Sequence, residues 1–315
     1  CDDCRRIERR KHPDVHFYTP EGAQGYLIEQ IREIVSGVSL APIRATGKVY
    51  ILDRVDLLGV SAANAFLKTL EEPVEGVTFI LLGRTREAVL PTIVSRCQVV
   101  PFRHIPAREA AGILSQKTGV TPEQARIAIE ACNGSITRAM TFAKSAERAE
   151  FRARIMEVLS NLPLSDERDV LEYAAELIER AKAPLDNVRT QQSEELAESA
   201  DFLTKTALKQ IELRHKRALS MATRESLNQT TSIIRSWLRD VLMIASGTPD
   251  LVVNIDQREV LQRVAQKVTP ASIMSALREA YKTDETLSYN VSPETCLDVL
   301  LFSIREVLNG SGNPH

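Results

Sequence analysis

The chain holds 315 residues, with 40 Lys+Arg against 42 Asp+Glu and a formal net charge of -2. It is long enough for two or three domains, and too balanced in charge to bind nucleic acid through its bulk electrostatics. No apolar run approaches the ~20 residues of a membrane helix and no signal peptide is visible, so no membrane contact is expected and a cytoplasmic location is.

The five cysteines, at positions 1, 4, 97, 132 and 296, form no disulfide framework; three of them sit singly in apolar or helical stretches. Cys1 stands where a natural chain would carry Met, inside a Cys1-x-x-Cys4 motif, so a chain that has lost its native start is expected. Residues 1–20 are basic and then turn-like, with Pro13 and Pro20. Apolar positions 27, 28, 31, 34 and 35 predict a helix over 25–35. Lys48–Leu52 is a short continuous apolar run, as for a strand buried on both faces. A helix is predicted over Ser61–Leu70, with Ser61 as N-cap and Pro73 just past its end. Val77–Leu82 predicts a second buried strand, Val89–Val94 a short helix or turn, and Gln98–Phe102 a third strand. Strands alternating with helices imply a parallel sheet.

From His104 onward no further strand is expected. Ala107–Lys117 has helical spacing after Pro106, Thr121-Pro122-Glu123 pairs an N-cap with Pro at the first helical position, and Asn133-Gly134 predicts a left-handed C-cap. Ser135 caps a third helix reaching about Lys144. Residues 148–308 predict five or six longer helices, broken near Pro163, Pro184, Gly247-Thr248-Pro249 and Pro270, with the polar tract 191–199 as a loop or helix end and 310–315 as a frayed tail.

Several strings carry chemistry. Asp53-Arg54-Val55-Asp56 closes the first apolar run on an acidic pair, which alone reads equally well as solvated charge at a strand end. Behind it stands Ala63-Asn64-Ala65-Phe66-Leu67-Lys68-Thr69-Leu70-Glu71-Glu72-Pro73, whose acidic pair lies at the helix end that disfavours anions. Ser95-Arg96-Cys97 follows Leu90-Pro91-Thr92-Ile93. Cys97 reads as core packing. The basic stretch Lys205–Arg217 reads as a solvated helix face.

Taken together, these strings resemble the AAA+ clamp-loader subunits of bacterial DNA polymerase III, and among them the delta-prime type. The resemblance implies an α/β plus all-α fold. A truncated AAA+ core with a parallel sheet and the remnant of a zinc module would span 1–103, a small three-helix lid 104–147, and a helical oligomerisation collar 148–315. Asp53 and Asp56 match the acidic position that helps hold Mg²⁺ in active members. Where those members carry a water-activating Glu, this chain has Arg54, which cannot act as a base. By the same resemblance, Arg96, with Ser95, would project as an arginine finger into the ATP site of the adjacent subunit, without a saturating carboxylate partner of its own. Glu71, Glu72 and Trp237 would face neighbouring subunits. Trp237-Leu238-Arg239-Asp240 and Leu287-Ser288-Tyr289-Asn290-Val291 match collar helices. Cys1 and Cys4 would be the last two of four zinc ligands, with His12-Pro13-Asp14 a turn leaving that module.

The implied partners are gamma/tau and delta subunits in a hetero-pentamer, a sliding clamp, and primed DNA reached through the complex. The implied cofactors are zinc in the native protein and ATP with Mg²⁺ at the neighbour. As a subunit of a DNA-directed DNA polymerase holoenzyme, the chain is expected not to hydrolyse ATP alone. The alternatives are a gamma/tau-like ATPase motor and a zinc-containing nucleic-acid-binding protein. Arg54, and the run Leu82-Gly83-Arg84-Thr85 where motors are Thr-rich, favour the first reading over the second. Near-neutral charge argues against the third.

Overall fold

A computed structural model describes residues 1–22, 25–199, 205–287 and 291–310. It divides into two compact units, 1–103 and 104–315. The first contains α1 (Asp2–Glu8), β1 (Val15–Tyr18), α2 (Ile28–Val38), β2 (Lys48–Leu52), α3 (Val60–Glu71), β3 (Val77–Leu81) and α4 (Pro91–Val94). The strands pair in parallel in the order β1-β2-β3, as the alternation of strands and helices predicts.

The register explains the packing of this unit. His16 lies opposite Tyr50, and Tyr50 opposite Phe79, so one face of the sheet carries a row of rings across three strands. His16 stacks on Tyr50 at 4.8 Å between centroids, and Phe66 of α3 meets Phe79 edge-on at 5.2 Å. Cross-strand ring pairs of this kind add to plain burial. Ile31 and Ile34 of α2, Ala62, Ala63 and Phe66 of α3, and Ile93 of α4 complete the core.

Four expectations are corrected here. Residues 1–20 are not merely turn-like: Val15–Tyr18 forms β1, with all four residues half-buried, held by pairing to β2. A four-residue strand beside His12-Pro13-Asp14 carries too little pattern to stand out from turn signals. Gln98–Phe102 is not a strand. Val99, Val100 and Phe102 are 48%, 64% and 91% exposed, and Pro101 supplies no N–H for a ladder. α3 is capped by Gly59, whose carbonyl accepts from Ala63 N, and Ser61 falls inside the first turn. β3 alternates half-buried and exposed residues, with Ile80 42% exposed, so it is not buried on both faces.

His12-Pro13-Asp14 does form a turn, and its last residue organises the unit. Asp14 is fully buried, and its carboxylate accepts backbone N–H from Ile43, Arg44 and Ala45 at 2.6, 2.7 and 2.8 Å. Burial would raise its pKa, but the three amide donors outweigh that and hold it to about 2. An unfolded Asp titrates near ~3.9. The folded value lies below the unfolded one, so the stabilisation is fully present above about pH 4 and is lost as pH falls towards about pH 2. Urea unfolding followed by circular dichroism should therefore show the first unit weakening across that window. Asp14→Asn should be less stable at neutral pH and show a shallower loss on acidification. An unchanged acid slope in the variant would remove Asp14 from the account.

The second unit contains α5 (Ala107–Thr118), α6 (Pro122–Ala131), α7 (Ile136–Ala143), α8 (Ala146–Asn161), α9 (Glu167–Lys182), α10 (Pro184–Ser199), α11 (Lys205–Ala245), α12 (Arg258–Ala265), α13 (Pro270–Thr286) and α14 (Pro293–Leu308). No strand occurs among its described residues. Thr121 forms a capping box with Gln124, and Asn133 and Gly134 both adopt positive φ after α6. The polar tract 191–199 lies inside α10. At 41 residues α11 runs about 60 Å, and α6, α8, α9, α12 and α13 pack along it. One continuous hydrophobic core joins α5–α7 to the later helices, so a cut at residue 148 would pass through it.

Of the sequence strings singled out, Ser288, Tyr289 and Asn290 lie outside the described residues, as do the side chains of Lys205, Arg214 and Arg217 and the tail 311–315. Among the described residues no helix is long and apolar enough to cross a membrane.

Candidate functional site

The C-terminal end of β2 delivers the acidic pair, but the two carboxylates have different surroundings. Asp53 stays exposed. Its backbone N–H donates to Tyr18 O at 2.9 Å, its carbonyl accepts from Tyr26 Oη at 2.6 Å, and its Oδ1 accepts from Arg54 N. Burial, reinforced by the charges of Asp53 and Asp56, pushes the Tyr26 hydroxyl well above its ordinary value, so it remains a neutral donor.

Asp56, by contrast, has a side chain only 6% exposed and is paired. Arg54 Nε and Nη2 reach its Oδ2 at 3.2 and 3.1 Å. Burial alone would raise the Asp56 carboxyl; the Arg54 guanidinium overrides this and holds it below the usual carboxylate range. Arg54 adopts φ 56 and ψ 45, a left-handed conformation that costs a non-glycine residue about 1–2 kcal/mol. The ion pair helps offset that cost. A permanent cation, folded onto its neighbour, thus occupies the position after Asp53, and a guanidinium does not itself take a proton from water.

A second group of residues gathers at the end of α4. Pro91 opens this short helix and Ser95 ends it, presenting Arg96 immediately beyond. Arg96 Nε donates to Glu71 Oε1 at 2.6 Å, and Nη2 donates to the same oxygen. Nη1 donates to Thr92 O at 2.9 Å and to Ser95 Oγ at 3.2 Å, while Ser95 Oγ donates to Thr92 O at 3.1 Å. The expectation that Arg96 lacks a carboxylate partner is therefore overturned. Glu71, the last residue of α3, needs a cation to offset the unfavourable helix C-terminus, and Arg96 supplies it. The pair remains open to water, with side chains 31% and 47% exposed. Glu72 is exposed beside it. Cys97 is half-buried against the core, and burial pushes its thiol up, as suits packing rather than chemistry.

Trp237 is corrected as well. It is fully buried in the core of the second unit, where its ring serves packing and is not available to another subunit. Asp240, which the sequence marked only as the end of the Trp237-Leu238-Arg239-Asp240 string, is the organising residue there. It is fully buried and accepts from Val253 N, Asn254 N, Asn254 Nδ2 and Arg239 Nη2. The adjacent Arg239-Asp240 dipeptide was the one available signal, and adjacency does not reveal burial.

Cys1 and Cys4 do come together. Cys1 caps α1, and the two sulfurs lie 3.4 Å apart on the surface. Tetrahedral structural zinc takes four ligands. Among the described residues no group of three or more His, Cys, Asp or Glu is placed to hold a metal. His12 is buried, with Nδ1 accepting from Asp14 N at 3.1 Å. The residues present do not fit a complete zinc site.

Comparison with known proteins bears on both units. Residues 1–106 match the family model described as DNA polymerase III, delta subunit, and residues 194–305 match DNA polymerase III, delta subunit, C terminal. The chain belongs to the family of DNA polymerase III clamp-loader subunits. It is 31% identical over 158 residues to DNA polymerase III subunit delta' of Bacillus subtilis, covering 50% of this chain and 47% of that protein. It is 37% identical over 116 residues to subunit tau of the same organism, covering 37% of this chain and 20% of that protein. Subunit delta' of Haemophilus influenzae is 35% identical over 99 residues, covering 31% and 30%. The chain thus spans about half the length, or less, of these curated relatives. Among solved structures, a DNA polymerase III gamma subunit-related protein of Thermotoga maritima aligns over 95% of this chain and 85% of its own, at 18% identity and a TM-score of 0.46.

Proposed function

We propose that the chain acts as a delta-prime-like subunit of the replicative clamp loader, supplying Arg96 to the ATP site of an adjacent gamma/tau subunit and hydrolysing no ATP itself. Its partners would be gamma/tau and delta subunits in a hetero-pentamer. Through that complex it would help open a sliding clamp and place it on primed DNA, with the helical second unit providing the assembly surface.

The observation that carries this role is the division of labour between two arginines. Arg54 occupies the position where a motor subunit needs a general base, and it is folded onto Asp56. Arg96 stands at the surface end of α4 with a partly exposed guanidinium. A planar, permanently charged fork is suited to phosphate oxygens, and a cation beside a buried carboxylate is not suited to activating water. Zinc plays no part in the proposal.

The tau relatives support a second reading, an ATPase motor of the same complex. The two readings separate on turnover. The isolated chain, free of motor subunits, should release phosphate from ATP no faster than a no-enzyme control in a coupled assay. Added to gamma and delta subunits, it should restore clamp-stimulated ATPase and clamp loading. Sustained phosphate release by the chain alone would favour the motor reading instead.

A further inference from the structure

The Arg96–Glu71 contact is built in an unusual way. Both Nε and Nη2 converge on the single oxygen Oε1, and Nη1 is held separately by Thr92 O and Ser95 Oγ. A fork-on-fork pair would use both carboxylate oxygens. Here Oε2 takes no hydrogen bond among the described residues, so the carboxylate is held by one oxygen on a side chain that is 47% exposed. Every nitrogen of the guanidinium is occupied, yet the pair is solvent-open on both sides, the condition under which ion pairs contribute little and exchange readily. Nη1 has partners on α4 and at Ser95 that do not depend on Glu71. If the carboxylate leaves, that anchor still holds the arginine at the end of α4 and leaves Nε and Nη2 free.

We propose that Glu71 is an intramolecular stand-in for phosphate: its carboxylate fills the Arg96 fork and is displaced when the fork meets the terminal phosphate oxygens of a nucleoside triphosphate on the neighbouring subunit. This rests on the role proposed above for Arg96. The exchange is a ligand swap with no bond made or broken. A singly charged carboxylate with one engaged oxygen gives way to a more highly charged group with several. Glu71 then returns to water at the exposed end of α3. Its cost in assembly is an apparent weakening of nucleotide engagement, and its benefit is that the fork stays covered until a nucleotide-loaded neighbour arrives.

The test uses the reconstituted loader carrying wild-type chain, Glu71→Gln, Arg96→Ala or both substitutions, with clamp-stimulated ATPase measured across ATP concentration. Glu71→Gln removes the competing charge at a helix end that disfavours it, so the fold should hold. Because an exposed pair of this kind is weak, Glu71→Gln should lower the half-saturating ATP concentration about two- to five-fold. That gain should vanish in the double variant, which should match Arg96→Ala. A wild-type ATP dependence in Glu71→Gln, with turnover reduced in Arg96→Ala, would overturn the stand-in and leave the finger intact. A weaker ATP dependence in Glu71→Gln would make Glu71 a positioning residue and also overturn it. Wild-type turnover in Arg96→Ala would remove both the finger and the stand-in.

Discussion

Asp240→Ala should unfold the helical unit well below the temperature at which the wild-type unit melts. Asp240 is fully buried, and its carboxylate accepts the backbone N–H of Val253 at 3.0 Å and of Asn254 at 2.7 Å, the Asn254 amide at 2.8 Å, and Arg239 Nη2 at 3.0 Å. Alanine leaves the backbone N–H groups of half-buried Val253 and buried Asn254 without an acceptor and removes the fixed point of the loop between α11 and α12. The damage spreads further. Asn254 also accepts from Arg152 Nη2 at 2.7 Å, and Arg152 grips Asp256 at 2.7 and 2.9 Å, tying α8 to the same loop. Breaking one member of a buried charged network costs about 3–5 kcal/mol. For a unit of this size that corresponds to a fall in melting temperature of roughly 6–20 °C. Asp240→Asn keeps the shape and one acceptor oxygen and should lose less. Thermal unfolding followed at 222 nm reads both, and a shift below about 2 °C for the alanine variant would show that the loop is held by other means.

Arg96→Ala should have the opposite profile, intact stability and impaired function. Its pairing with Glu71 is solvent-open, and exposed pairs are worth about 0.2–1 kcal/mol, so melting and assembly should be nearly unchanged. At the ATP site it serves, the loss should be large, since fingers of this class contribute roughly 10³–10⁵ in rate. A loader with several ATP sites loses only the share that depends on this subunit, so total clamp-stimulated turnover should fall in part and clamp loading more steeply. Arg96→Lys should rescue incompletely, because an ammonium lacks the planar fork. Wild-type turnover from a reconstituted loader carrying Arg96→Ala would reduce Arg96 to a surface residue.

What the sequence determined by itself is local. The apolar run Lys48–Leu52 is β2, residue for residue, because a continuous hydrophobic stretch closed by Asp53 has few other solutions. Thr121-Pro122 opens α6 because hydroxyl capping and a fixed proline φ act within one turn. Among the described residues six helices of 16 residues or more follow residue 145, because Ala, Leu, Glu and Arg favour helix wherever prolines allow it. The tertiary structure alone decided the rest, and each case turns on a partner distant in the chain. Val15–Tyr18 is a strand because β2 lies beside it; Gln98–Phe102, with a stronger apolar pattern, has no strand beside it among the described residues and remains irregular and exposed. Trp237 is core rather than surface because it packs into the cluster that α11 shares with the other helices of its unit, which its own sequence neighbours do not record. Arg96 acquires Glu71 from 25 residues away because α3 and α4 end side by side. Hydrophobic period and capping chemistry act over three or four residues and can be read along the chain. Burial, register and ion pairing depend on which segments meet in space, and only the folded molecule specifies that.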